Sequence, residues 1–149
     1  MKYKKPLPKL EIKGKTYFIT FATWDRLELT PEARKLVLDT CLFFQDTRYH
    51  LFAAVIMPDH VHLLIKPFPK NDTEYWTIGS ILHSIKSYSA KQIPTVMKHL
   101  GKVWQDGRHD VMMRNREHFI NTWDYIRQNP VKAELSLTPE SYPFLWEDF

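Results

Sequence analysis

One cysteine, Cys41, is all that 149 residues carry, which excludes an intrachain disulfide and a cysteine-based zinc site. No stretch approaches the roughly 18 consecutive apolar residues that a membrane span requires. The lysine-rich start is not followed by a signal-peptide hydrophobic segment. These absences predict a reduced, cytoplasmic protein with no membrane attachment. There is no internal repeat, and the aromatic signature of RNA-recognition motifs is missing. The only linker-like stretches are the proline-bearing N-terminus and the loop from Lys66 to Asp72, so nothing marks a domain boundary.

What is present suffices for one core. The chain is 44% hydrophobic and 14% aromatic, and its length suits a single domain over residues 1–149. Net charge is +4, with a sequence pI near 9.1. Lys2, Lys4, Lys5, Lys9, Lys13 and Lys15 face only Glu11, making residues 1–14 a basic arm. Such an arm favours a polyanionic partner, although a terminal lysine run also reads as a solvated tail.

Periodicity and punctuation give a coarse order of elements. Lys15 to Ala22 is β-branched and aromatic and reads as a strand. Thr30 and Pro31 open a helix whose apolar stripe is Ala33, Leu36, Val37, Cys41 and Phe44. His50 to Met57 and His60 to Lys66 form a hairpin across Pro58-Asp59. A second helix is expected from about Thr73 to Gln92, ended by Pro94. Val103-Trp104 and Asp110 to Met113 suggest a fourth strand, and a last helix starts near Asn115. The order βαββαβ plus a helix is that of an α+β, ferredoxin-like sandwich with an antiparallel sheet and a C-terminal helix. That fold hosts many functions and licenses none alone.

The chemistry lies in two short segments. In Met57-Pro58-Asp59-His60-Val61-His62, side chains alternate faces, so His60 and His62 project together while Val61 points to the core. A pair of imidazoles so placed can grip a divalent metal, or can be held by hydrogen bonds alone. On the last helix Phe119, Ile120, Trp123 and Ile126 make the buried stripe. Tyr125 falls nearly opposite, with His118, Asn121, Thr122, Gln128 and Asn129. Asn129 is one turn beyond Tyr125 on the same face, and because it precedes Pro130 it is expected to end the helix.

Together with Asp110-Val111-Met112-Met113-Arg114 and Asp124-Tyr125-Ile126-Arg127-Gln128-Asn129-Pro130-Val131-Lys132-Ala133, the histidine motif resembles the REP-associated tyrosine transposases. These are relatives of the single-tyrosine HUH transposases of small insertion sequences. The resemblance runs from about Lys15 to Trp146. It implies that His60, His62 and Asn129 hold Mg²⁺ or Mn²⁺, and that Tyr125 attacks a DNA phosphate to leave a 5′-phosphotyrosine and a free 3′-OH. The insertion-sequence members place glutamine at the position of Asn129, one methylene longer. It further implies a substrate of single-stranded or hairpin DNA, and it is compatible with a homodimer.

Lys86, Arg108, Arg114, Arg127 and Lys132, with Lys91 and Arg116, are candidate phosphate contacts, although each also suits a solvated basic face. Trp76, Tyr88 and Trp104 are expected in the core. Neither histidine is expected to be a core residue. Two other functions stay open on the residues alone. One is a non-catalytic nucleic-acid-binding module. The other is a metal-dependent phosphodiesterase that uses water and leaves Tyr125 idle.

Overall fold

The β-branched and aromatic stretch near Tyr17 does extend: in the computed structural model, which describes residues 15–148, Tyr17–Ala22 is strand β1. The arm assigned to residues 1–14 lies outside the described residues. Tyr49–Ile56 (β2) and His60–Pro67 (β3) form the expected hairpin, and His109–Met112 is β4. A fifth strand, Leu145–Glu147 (β5), was not foreseen. The sheet order is β4-β1-β3-β2-β5, and every pairing is antiparallel. Its first four strands carry the ferredoxin-like βαββαβ topology, and β5 extends the β2 edge. Val103-Trp104 joins no strand; Trp104 makes an isolated bridge with Thr23.

Capping side chains set the helix starts. Thr30 Oγ1 accepts from Ala33 N at 3.2 Å and opens α1, Pro31–Phe44. Helix α2 is Ile78–Val96, beginning later than expected because Asn71 Oδ1 binds the N–H groups of Thr73 and Glu74 in a turn, and Thr77 takes the cap. Pro94 sits within its last turn rather than beyond it. Asn115 caps α3, Arg116–Lys132, by accepting from His118 N at 2.8 Å.

Helix α3 also runs past the point where it was expected to stop. Asn129 and Pro130 remain helical, and the end is closed instead by Leu135 N donating to Pro130 O at 2.9 Å and Glu134 N to Val131 O at 3.0 Å. That pairing is a Schellman closure, and it places Glu134 at φ 60°.

The sheet is covered on both faces. Helices α1 and α2 lie over Ile19, Phe21, Leu51, Ala54, Ile56, Val61, Leu63 and Ile65. On the opposite face α3 inserts Phe119, Trp123 and Ile126 against Phe52, Ala53, Val55, Met57 and Leu64. A bulge in β2, between Leu51 and Ala53, lets Phe52 and Ala53 both face α3. Phe52 uses that position to meet the rings of Phe119 at 4.9 Å and Trp123 at 6.2 Å.

The added strand β5 pins α3 as well. Glu147 accepts from Trp123 Nε1 at 3.0 Å and from Arg127 Nη1 at 2.7 Å, while Arg127 Nη2 pairs with Glu140. Arg127, a candidate DNA contact by sequence, is 4% exposed, and its guanidinium is turned inward to two carboxylates.

Candidate active site

Register decides what surrounds the histidines. His60 and His62 pair across the ladder with Ala22 and Thr20, so Thr20 shares their face, which is the face that α3 covers. The two imidazole centroids are 4.8 Å apart, nearer than the roughly 6.6 Å between alternate residues of a strand, so the rings lean together.

Each ring is oriented by a neighbour. His60 Nδ1 lies 2.8 Å from Asp59 Oδ1. A carboxylate only accepts, so Nδ1 carries the hydrogen and the neutral ring keeps its lone pair on Nε2. His62 Nδ1 lies 2.8 Å from Thr20 Oγ1. His62 was not expected in the core, yet it is 5% exposed, beneath Phe18 and α3. Burial pushes its pKa down to about 3, with the His60 charge adding to the shift, so the ring is neutral at physiological pH.

The remaining nitrogen of His62 tests whether the site suits a metal. His62 Nε2 is buried with no hydrogen-bond partner among the described residues. When Nδ1 donates to Thr20, Nε2 offers an unmet lone pair in a low-dielectric setting, which is costly unless a cation completes it. The donor set of two imidazoles, one backed by a carboxylate, fits a divalent ion. No cluster of three His, Cys, Asp or Glu side chains occurs among the described residues, so further ligands must be of other kinds.

Tyr125 comes to this spot from α3. It is 46% exposed, and its ring centroid lies 5.6 Å from that of His62, at 71°. Phe18 completes a triangle, 5.9 Å from Tyr125 and stacked on His62 at 5.2 Å. Asn129, one turn on, is half-buried, and its backbone oxygen accepts from Ala133 N at 3.1 Å. No hydrogen bond among the described residues ties its carboxamide to either imidazole. Thr122, expected beside Tyr125 on the open face, is buried, with its hydroxyl donating to His118 O at 2.8 Å.

The basic residues scatter. Lys132 Nζ lies 5.9 Å from the centre of the Tyr125 ring, at the site itself. Arg114 stands at the start of α3, its backbone N donating to His118 Nδ1 at 3.2 Å. Lys86 donates to Gln105 O and Gly107 O and lies against the Phe21 ring, on the α2 side of the sheet. Burial lowers its pKa. Arg108 pairs with Asp110 at 2.9 Å and lines a cavity of about 670 Å³ with Lys15, Tyr75 and Trp76. Tyr88, expected in the core, is 50% exposed and stacks on Phe43 at 6.4 Å on the far side of the sheet.

Sequence reading missed Asp59, Thr20 and Phe18 as parts of the site. Asp59 was visible as a carboxylate next to a histidine. Thr20 and Phe18 required the β1–β3 register, which no local pattern reveals.

Similarity to known proteins decides the family. The IS200-like transposase family model matches residues 23–129, from the end of β1 to Asn129 on α3. The chain belongs to the IS200-like transposase family. It is 28% identical over 146 residues to a Haemophilus influenzae protein described as a REP-associated tyrosine transposase, covering 89% of this chain and 79% of that one. A solved REP-associated tyrosine transposase bound to a REP hairpin superposes with a TM-score of 0.73 at 22% identity, covering 95% of this chain and 81% of the other. A transposase-like structure from Deinococcus radiodurans gives 0.53 at 20% identity, covering 84% and 97%. The resemblance read from the motifs is thereby borne out, and so are the transposase class and the ferredoxin-like fold.

Proposed function

We propose that this IS200-like transposase cleaves and rejoins single-stranded DNA beside a folded hairpin, with Tyr125 as its nucleophile. The observation that carries the reading is the approach of the Tyr125 ring to within 5.6 Å of His62, on the one face that both histidines share. The hairpin bound by the solved relative supports the substrate class. His60, His62 and Asn129 would hold Mg²⁺ or Mn²⁺, whose charge would polarise the scissile phosphate and offset the negative charge that develops there.

The chain's own residues carry the rest. Tyr125 Oη attacks the phosphorus in line; the Oη–P bond forms, the P–O3′ bond breaks, and the phenolic proton is lost as the departing 3′-oxygen gains one. A 5′-phosphotyrosine and a free 3′-OH result, and the ester keeps the bond energy for rejoining by another 3′-OH. Its half-exposed ring leaves Tyr125 open to a flexible strand, whereas the phosphates of a duplex are held in register. Lys132, beside the phenol, contributes positive charge where the phosphate must sit. Every named group comes from one chain, so the reading does not require a homodimer. The whole chain acts as one unit in the cytoplasm, with the basic arm drawing it to DNA.

A single reaction separates this from its rivals. Hairpin DNA with a single-stranded flank is incubated with the protein and Mg²⁺ or Mn²⁺, then run on a denaturing gel. Protein attached to DNA is expected. Cleavage without attachment would mean a hydrolase using water, and binding without cleavage would mean a non-catalytic module.

A further inference from the structure

Between β1 and α3, directly beside the nucleophile, lies a depression of about 220 Å³ walled by Phe18, Asn121, Thr122 and Tyr125. It exists because α3 packs mainly over β2 and β3, so that β4 is exposed and Phe18 of β1 is only partly covered. Val111, the cross-strand neighbour of Phe18, is accordingly 43% exposed. The slot is apolar on its walls: the Phe18 ring, the edge of Tyr125, and Thr122, whose hydroxyl is already turned back to His118 O. Its polar group is the Asn121 carboxamide, exposed at the rim and without a hydrogen bond among the described residues. Asn121 and Tyr125 are four apart on one helix face, so whatever enters the slot touches both. Two cations lie nearby: Lys132 over the Tyr125 ring, and Arg114 against His118, a turn before Asn121 and Thr122.

A flat apolar slot with one donor–acceptor group and nearby cations matches a nucleotide: a base inside, phosphates outside. We propose that this depression holds the unpaired base of the nucleotide next to the scissile phosphate, with Phe18 as its platform and Asn121 reading its hydrogen-bonding edge. The inference rests on the proposed attack by Tyr125. A carboxamide offers one donor and one acceptor in a plane, which complements the N6/N7 edge of adenine. Adenine is therefore the preferred occupant.

The test is a base scan by binding, followed by mapping of the cleaved bond. The full chain is titrated with hairpin oligonucleotides whose single-stranded flank carries, at each position in turn, an abasic site or each of the four bases. At one position, an abasic site should weaken binding about tenfold and adenine should be favoured. Asn121→Ala should erase the base preference at that position alone, and Phe18→Leu should reduce the abasic penalty there. Thermal melting of both variants confirms folding, and Asn121, being exposed, tolerates the change. Mapping the cleaved bond with wild-type protein should place that position next to it. An unchanged base preference in Asn121→Ala, no sensitive position, or one remote from the cleaved bond would overturn the slot. Absence of any covalent adduct from wild-type protein would instead overturn the nucleophile assignment, so the two failures are distinguishable.

Discussion

The His62 ring is locked between Thr20, which meets its Nδ1 at 2.8 Å, and Phe18, stacked on it at 5.2 Å, so its free nitrogen has a fixed aim. The consequence is that His62 is both a candidate ligand and a buried packing residue. The two histidines should therefore not behave alike on mutation.

His60→Ala removes a half-exposed ring and should abolish DNA cleavage with a stability change within about 1 kcal/mol. His62→Ala opens a cavity under α3 and should cost about 2–4 kcal/mol as well as cleavage. Chemical denaturation of both, alongside an adduct gel, checks the contrast.

Acid should weaken the metal-free protein through His62. Its folded pKa, about 3, is below the ordinary imidazole value, so between roughly pH 6.5 and pH 3 the unfolded chain binds a proton that the folded chain refuses. Stability from this group is present above the unfolded pKa and is lost as pH falls through that window, with a slope of at most about 1.4 kcal/mol per pH unit. Thermal unfolding of wild-type and His62→Gln protein across this range should show the slope diminished in the variant.

Arg127 should act on stability. Its guanidinium is buried against Glu147 and Glu140, so Arg127→Ala leaves carboxylates without their partner and removes a tie between α3 and β5. A loss of about 3–5 kcal/mol is expected. At a temperature where the variant remains folded, the salt dependence of its DNA binding should match that of wild type. By contrast, Lys132→Ala should lower that slope by about one unit.

Asn129→Ala should give a partial loss of cleavage that higher Mg²⁺ or Mn²⁺ concentration recovers in part. Recovery indicates that the carboxamide contributes to holding the ion. A loss indifferent to metal concentration would assign Asn129 to the helix alone.

Much of this was legible because it is written in local patterns. The strand alternation of His60, Val61 and His62, the Thr30-Pro31 and Asn115 helix starts, and the Phe119–Trp123–Ile126 stripe each depend on near neighbours in sequence. What escaped depends on distant pairing. Arg127 reads as one more basic residue until β5, only three residues long, brings Glu147 beneath it. Thr20 and Phe18 join the site only through the register of β1 on β3. Pro94 and Pro130 each forgo one helical N–H bond without ending the helix at once, and each helix runs two residues past its proline. Tyr88 and Tyr125 could be ranked only by a resemblance, whereas the structure separates them by the thickness of the sheet.

The residue joined to DNA is identified by mass spectrometry of the covalent product. Wild-type protein is reacted with hairpin DNA and Mg²⁺ or Mn²⁺, digested with nuclease and protease, and the modified peptide is sequenced by mass spectrometry. A nucleotide linked through its 5′-phosphate to Tyr125 is expected, and no linkage in Tyr125→Phe. Attachment at Tyr88, or DNA cut with no tyrosine modified, would contradict the assignment of Tyr125 as nucleophile.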